Sequence, residues 1–576
     1  MPWDDGLTPD KRDIVNDGAR IKIVRAGPGS GKTTLFVAAI RKALTEWHDP
    51  KAGIAALSYT NIAQQEITEK AGHIPPPHLV TTIDAFILRY VIKPFASIVT
   101  GSPDGVRLLP APVAQYYDDE IQVGASRRER GRLTEVTFLQ HDTNGNVVMH
   151  AKTGYGSTPV HATRRDAVLT EKRQFWRRGL VTHSDTHYLA FQILHDRTHG
   201  DAIARLIARR FPVILVDEYQ DTNYFLAHTV KKLLAQPEVH GLAVGDTDQA
   251  IFEFGGAHPR LFDDLEALDG ARAFPLRTTH RCPRRVTAVA TQLAHSQVPI
   301  QPTDQEGAVL LLIHQNDPRV LYDAIIRLRQ PGDRIAILAR RSDTIAHLKG
   351  HITSDFPGGC KLVERLSEAA DTLNFHPSKA AQITSSELGY LLFQERHPTR
   401  TALERRQITA TSWRQATWRV LSTAATRRDA EEWRDWVTRL RPALREAAQL
   451  VNQPLDDATI NRRLQATQAM NVRRHPAQQV QAVAWPDGTT LDTVHGVKGD
   501  EFEIVAFYCP RPVNRGRQRC ITTQWWNPLQ TEERRVAYVA TTRAKRVFIL
   551  CVHQATHDAL RTQQQAFFAS FHPPEA

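Results

Sequence analysis

Ile21-Lys22-Ile23-Val24-Arg25-Ala26-Gly27-Pro28-Gly29-Ser30-Gly31-Lys32-Thr33-Thr34-Leu35-Phe36 is the stretch on which the fold turns. The β-branched run Ile21–Val24 predicts a strand. After a glycine-rich turn, the apolar residues Phe36, Ile40 and Leu44 recur at helical spacing. Gly27, Gly29 and Gly31 let the backbone around Ser30 wrap its N–H groups about a phosphate, and the helix that follows adds its dipole. In such a loop Lys32 reaches the β- and γ-phosphates and the Thr33 hydroxyl ligates Mg2+. Ala26 stands where the pattern usually has Gly. Strand before and helix after make a fortuitous turn a poor reading, so the chain is expected to bind a nucleoside triphosphate with Mg2+.

The other half of such a site is an acidic strand end, and Ile214-Leu215-Val216-Asp217-Glu218 supplies one. Asp217 is placed to hold the Mg2+ shell, and Glu218 to orient and deprotonate the attacking water. Outward from these two motifs, Ile54–Leu57, Val80–Ile83 and Leu242–Gly245 are further short β-branched runs separated by helical patterns. Together they predict a parallel α/β sheet. Val309–Ile313, Ile335–Ala339, Ile504–Phe507 and Val547–Cys551 predict a second sheet. Each core is interrupted: residues 87–200 and 345–486 are Arg-rich, Trp-containing and largely helical in pattern. The exception is Glu135–His150, where two alternating runs flank Asn144-Gly145 and predict a β-hairpin.

At 576 residues the chain has room for about four domains at ~150 residues each. With 41% apolar and 23% charged residues it reads as an ordinary globular protein. No apolar run approaches the ~18 residues of a membrane span, and the start lacks a signal-peptide pattern. The five scattered cysteines exclude a disulfide framework and any sequence-evident zinc or iron–sulfur site. A reducing, cytoplasmic setting is therefore the expectation. The net charge is +11, and two blocks, residues 127–178 and 396–446, carry +6 each. Either these are faces for a phosphate backbone or they are solvated Arg-rich helices; charge alone leaves both open. Trp413, Trp418, Trp433 and Trp436, at roughly helical spacings in the second insertion, read as core anchors rather than base-stacking platforms.

Val216-Asp217-Glu218-Tyr219-Gln220-Asp221-Thr222-Asn223 is too specific for a generic ATPase. It resembles the superfamily 1 helicases of the UvrD/Rep/PcrA type, and other segments agree in order. These are Ala56–Asn61, Thr81–Phe86, Val244–Phe254, Leu276–Arg281, Thr493–Phe502, and Glu532–Arg535 continuing to Tyr538–Ala544. The resemblance implies two RecA-like P-loop motor domains with ATP between them, each interrupted by an accessory insertion. The boundaries it implies are 1–86 with 201–276, 87–200, 277–344 with 487–576, and 345–486. By the same resemblance Gln249 senses the γ-phosphate, and Arg281 and Arg543 project onto it. Glu501 stands where the family contacts the ribose. Tyr59, Asn61, Thr82, Asp84, Phe252, Phe254 and His495 occupy DNA-contacting positions. For each aromatic, core packing stays an alternative, and for Phe252 the two readings are balanced.

Three positions depart from the family pattern, all around the base: Lys11 for an adenine-reading Gln, Thr34 for an Arg, and His280 for a stacking Tyr. Normal hydrolysis with weaker discrimination between ATP and GTP is expected. The resemblance implies an ATP-driven 3′→5′ helicase acting on single-stranded and tailed duplex DNA. The alternative is an NTP-hydrolysing, DNA-binding switch subunit that does not itself unwind, beside a nuclease partner in recombination or in Gabija-type antiviral defence.

Overall fold

The computed structural model describes residues 3–109, 120–126, 129–153, 156–252, 256–257, 259–295, 300–349, 360–373, 377–395, 398, 400–426, 431–464, 483–511, 531–560 and 571. Phe254, Glu253 and Cys520 lie outside them.

The β-branched runs of the first half form one sheet. Its strands are β1 (Ile21–Ala26), β2 (Ile54–Ser58), β3 (Leu79–Thr82), β4 (Val213–Val216), β5 (His240–Gly245) and β6 (Ala271–Leu276). They lie in the order β6-β1-β5-β4-β2-β3, and every pairing is parallel. β6 went unread in the sequence. Its Pro275 cannot donate to a ladder, which restricts it to an edge, and β6 is one of the two edge strands. In register, Arg25 pairs with Gly245, and Val216 with both Leu57 and Ala243. The carboxyl ends of all six strands therefore open on one rim, where parallel α/β sheets place their ligands.

The second sheet is also wholly parallel. It comprises β7 (Ala308–His314), β8 (Ile335–Ala339), β9 (Thr490–Thr493), β10 (Phe502–Cys509) and β11 (Ala544–His553), in the order β7-β11-β10-β8-β9. Ala336, Ile337, Leu338, Val505, Ala506 and Ile549 are at most 1% exposed, which explains near-continuous apolar runs rather than alternation.

The first insertion corrects the expectation of a largely helical unit. It holds a four-stranded antiparallel sheet of Glu120–Gln122, Arg130–His141, Val147–Thr153 and Gly156–Pro159, beside helices. Alternation explains it: Val136 pairs with Ala151 and Phe138 with Met149, and these apolar side chains are buried. The expected hairpin is part of this sheet and turns at Gly145, whose φ is +79°. The second insertion is helical among the described residues. Trp413, Trp433 and Trp436 anchor its core, whereas Trp418 is 57% exposed.

Neither basic block is simply a phosphate face. Lys172 is fully buried against Asp185 at 2.6 Å. In the second block Arg439 pairs with Glu431, and Arg445 with Asp457. Arg173, Arg177 and Arg178 are exposed.

Candidate functional site

The rim of the first sheet gathers the sequence motifs because each follows a strand's carboxyl end. β1 runs into the glycine-rich loop, and α2 (Lys32–Thr45) begins at Lys32. Gly29 and Gly31 have φ of +65° and +81°, a left-handed backbone that other residues resist. Gly29 is also crowded: a Cβ there would sit 2.5 Å from Arg281 Cβ. The Ser30 hydroxyl closes the turn by donating to the Gly27 carbonyl at 2.8 Å.

β4 delivers Asp217 and Glu218. Asp217 is 3% exposed, and its N–H donates to the Leu57 carbonyl at 2.8 Å. Glu218 adopts a left-handed φ of +50°, a strained conformation of the kind held at functional positions. Lys32 Nζ lies 3.9 Å from Glu218 Oε1, and the Gln220 amide donates to Glu218 Oε2 at 2.5 Å. The two acids are driven apart. Burial and the neighbouring Glu218 charge raise the Asp217 carboxyl. For Glu218, burial is outweighed by the pull of Lys32, Lys498 and Gln220, so it stays a carboxylate. A buried acid at Asp217 and the Thr33 hydroxyl one residue into α2 form an all-oxygen donor pair of the type Mg2+ takes, so these residues fit that ion.

The second core closes on this rim. Arg543, directly before β11, donates from Nη2 to Gln249 Oε1 at 2.9 Å, and Gln249 Nε2 donates to Asp246 Oδ2 at 2.6 Å. Burial and the nearby Arg281 lower the Arg543 guanidinium to about 10, still charged near neutral pH. Arg281 is held differently. Its Nε donates to Glu501 Oε2 at 2.9 Å, and Lys545 also pairs with Glu501. In this arrangement Glu501 is tied to two cations.

Of the DNA-facing expectations, three rings come together. Tyr59 and Phe252 lie 5.7 Å apart, and His495 meets Phe252 edge-on at 5.7 Å. Asn61 begins the exposed end of α3 (Asn61–Ala71). Thr82 and Asp84 are engaged otherwise: the Thr82 hydroxyl caps a short helix by accepting from the Ala85 N–H, and Asp84 accepts from His187 Nε2 at 2.5 Å. Asn223 donates to the other nitrogen of His187 at 2.6 Å, while its own oxygen accepts from the Leu226 N–H. That fixes the tautomer and links Asp84 to the segment following Glu218. Of the three residues expected around the base, Lys11 and His280 meet at 3.1 Å, whereas Thr34 is exposed.

Sequence reasoning missed Lys498, Asp221 and His187. Lys498 donates to both Asp221 oxygens and to the Gln249 carbonyl, and lies 4.9 Å from the Phe252 ring centre. A cation in one motif and an unassigned acid in another were the available signal.

The signature of the UvrD/REP helicase N-terminal domain matches residues 7–268, and that of the UvrD-like helicase C-terminal domain matches residues 409–555. The chain is similar to Gabija protein GajB of Bacillus cereus (strain VD045), 27% identical over 277 residues, which cover 47% of this chain and 46% of that protein. It is 27% identical over 314 residues to ATP-dependent DNA helicase UvrD1 of Mycobacterium leprae (strain TN), covering 48% of this chain and 37% of the relative. A shorter match, 39% identical over 98 residues, is to an ATP-dependent helicase/nuclease subunit of Exiguobacterium sibiricum, covering 17% of this chain and 8% of the relative. The chain thus matches less than half the length of each of these relatives.

Proposed function

The chain belongs to the UvrD-like helicase family, and from that premise we propose that it is an NTP-driven DNA helicase and translocase that takes ATP, as UvrD1 does by its name. Residues 1–86 with 201–276, and 277–344 with 487–576, are its motor cores; 87–200 and 345–486 are accessory insertions. Movement is 3′→5′ along single-stranded DNA, a polarity that rests on the family resemblance.

The observation that carries this reading is Lys498. One ammonium touches Asp221 beside the catalytic acids, the carbonyl of Gln249, and the face of Phe252 in the ring cluster. A change at the phosphates is thereby felt where a base would stack, and base stacking serves any sequence.

The chemistry follows from the charges. The loop N–H groups and Lys32 hold the β- and γ-phosphates. Water attacks the γ-phosphorus, its proton passes to the Glu218 carboxylate, and the bond to the β-phosphate oxygen breaks. Arg543 stabilises the charge that spreads over the γ-oxygens. Arg281 joins it by leaving Glu501. Thr33 and Asp217 would hold Mg2+, which would supply charge neutralisation of the phosphates.

Hydrolysis assayed with and without single-stranded DNA tests the reading: strong stimulation supports it, and DNA-independent turnover counts against it. A second reading, in which the chain hydrolyses nucleotide beside a nuclease without unwinding, draws on the likeness to GajB and to the helicase/nuclease relative. Stimulated hydrolysis with no strand separation would favour it. Among the described residues, no helix is long and apolar enough to cross a membrane.

A further inference from the structure

Glu218 has two carboxylate oxygens with different neighbours. Oε1 lies 3.9 Å from Lys32 Nζ, on the phosphate side, while Oε2 accepts from the Gln220 amide at 2.5 Å. Gln220 is only 1% exposed, and both ends of its amide are engaged. Its Nε2 carries two hydrogens: one goes to Glu218, and the other serves Asp221 Oδ2 at 3.3 Å. Its Oε1 accepts from the Asp246 N–H at 3.0 Å. Only this orientation satisfies the amide. Turned over, its oxygen would face two carboxylates and its NH2 group a backbone donor. β5 ends at Gly245 beside that oxygen, and a Cβ there would collide with Gln220 Oε1.

Gln220 therefore joins the segment after β4 to the end of β5. Beyond Asp246 the contacts run into the second core, because Gln249 donates to the Asp246 carboxylate and accepts from Arg543. The base and the arginine share one chain of contacts, and Gln220 is its last link before Glu218. Glu218 needs such a holder. Its backbone is strained at a φ of +50°, and a carboxylate free to rotate would offer either oxygen to water. With Oε2 taken, Oε1 is left to receive the proton.

We infer that Gln220 is a positioning residue for hydrolysis: it occupies Oε2 of Glu218 so that Oε1 takes the proton from water, and it ties that carboxylate to the loop that meets Arg543. The inference rests on the reading of Glu218 as the base and names what aims it.

Gln220→Glu supplies the test, because its effect depends on pH. A protonated carboxyl at this position still donates to Glu218 and accepts from Asp246, whereas an ionised one has no donor. The new carboxyl would face Glu218 and Asp221, with Asp246 beside them. Glu218, by contrast, has Lys32, Lys498 and Arg543 opposing its burial, with Asp217 as its acidic neighbour. The proton therefore rests at position 220 and leaves as pH rises.

kcat and KM for ATP would be measured with saturating single-stranded DNA between about pH 6 and 9, spanning the range of a raised carboxyl. Dividing by the unaltered chain at each pH removes the titration both chains share. The expected ratio of kcat values falls by about 10–100-fold as pH rises, the scale of a lost hydrogen bond to a charged group, with KM unchanged. A flat ratio, or a change in KM alone, overturns the inference. Gly245→Ala keeps the amide and displaces it. It should lower kcat by about tenfold, and no further where Gln220→Ala is already present, as expected of changes acting through one contact. Fully additive losses would overturn the inference without reliance on Gln220→Glu folding. Glu218→Gln hydrolysing at the unaltered rate would sink the reading of the base itself; a flat ratio with Glu218→Gln inactive removes only the role of Gln220.

Discussion

Lys498 of the second core places its ammonium 2.7 and 2.5 Å from the two carboxylate oxygens of Asp221 in the first core. Asp221 is 1% exposed, and burial raises its acid to about 6 even against the pull of Lys498. The pair therefore does more than decorate the boundary between the sheets. It neutralises a buried acid three residues beyond Glu218. Removing one partner of a buried pair costs about 3–5 kcal/mol, and the lower end corresponds to roughly 100-fold in the population of the closed arrangement. Lys498→Ala is expected to lower DNA-stimulated hydrolysis by about that factor. Stopped-flow phosphate release would measure it, and a rate within twofold of the unaltered chain would show that the contact has no part in closure.

Arg543 contacts Gln249 directly, whereas Arg281 is drawn off by Glu501. A guanidinium on the γ-phosphate contributes about 10³–10⁵ in rate, so Arg543→Ala should lose at least that lower factor in kcat with nucleotide affinity little changed. Arg543→Lys should recover little, since a point charge cannot reproduce the fork. Single-turnover hydrolysis beside fluorescent-nucleotide binding separates the two effects; a fall in affinity alone would place Arg543 in binding rather than chemistry.

The Asp84 cluster predicts a pH effect of definite sign. The hydrogen bond from His183 to Asp84 raises the imidazole above its ordinary value, although burial opposes it. For Asp84, burial is outweighed by His183 and His187, and its acid is held well below the usual range. The favourable contact is thus complete below a pH of about 6.5 and is lost as pH rises through the raised His183 value. His183 is 63% exposed on its side chain, so solvent screens the energy and a titration reads the effect better than a melting curve. In Asp84→Asn the His183 midpoint seen by NMR should drop. No drop would mean the two groups do not interact in solution.

Trp436 is fully buried, and its indole N–H donates to the Ala424 carbonyl at 2.9 Å, whereas Trp418 is 57% exposed. Trp436→Ala should destabilise the second insertion by about 3–5 kcal/mol. Trp418→Ala should stay within about 0.5 kcal/mol. Denaturant unfolding of the two variants is the check, and equal losses would contradict this packing.

What was legible in the sequence is what local chemistry encodes. The strand–turn–helix around Lys32 and the strand leading into Asp217 are written in consecutive residues. The rings of Tyr59, Phe252 and His495 were found only through the resemblance, since nothing local distinguishes them from core packing. Lys498 and His187 stayed hidden because their partners lie 277 and 103 residues away, and no periodicity reports such a pairing. β9 is four residues with Asp492 in its middle, too short and too polar to read as a strand. The sheet of the first insertion was under-read because Arg130, Arg132 and Lys152 break the apolar pattern of its strands.

Strand separation shows whether closure of the two cores on a nucleotide drives movement on DNA. Duplexes with a 3′ or a 5′ single-stranded tail would be incubated with ATP or GTP, with Lys32→Ala as the blank. That variant should bind single-stranded DNA yet hydrolyse nothing. Nucleotide-dependent unwinding is expected for the 3′-tailed duplex, with none for the 5′-tailed duplex and none with Lys32→Ala. Unwinding by Lys32→Ala, or failure to separate either duplex despite DNA-stimulated hydrolysis, would contradict a motor driven by that closure.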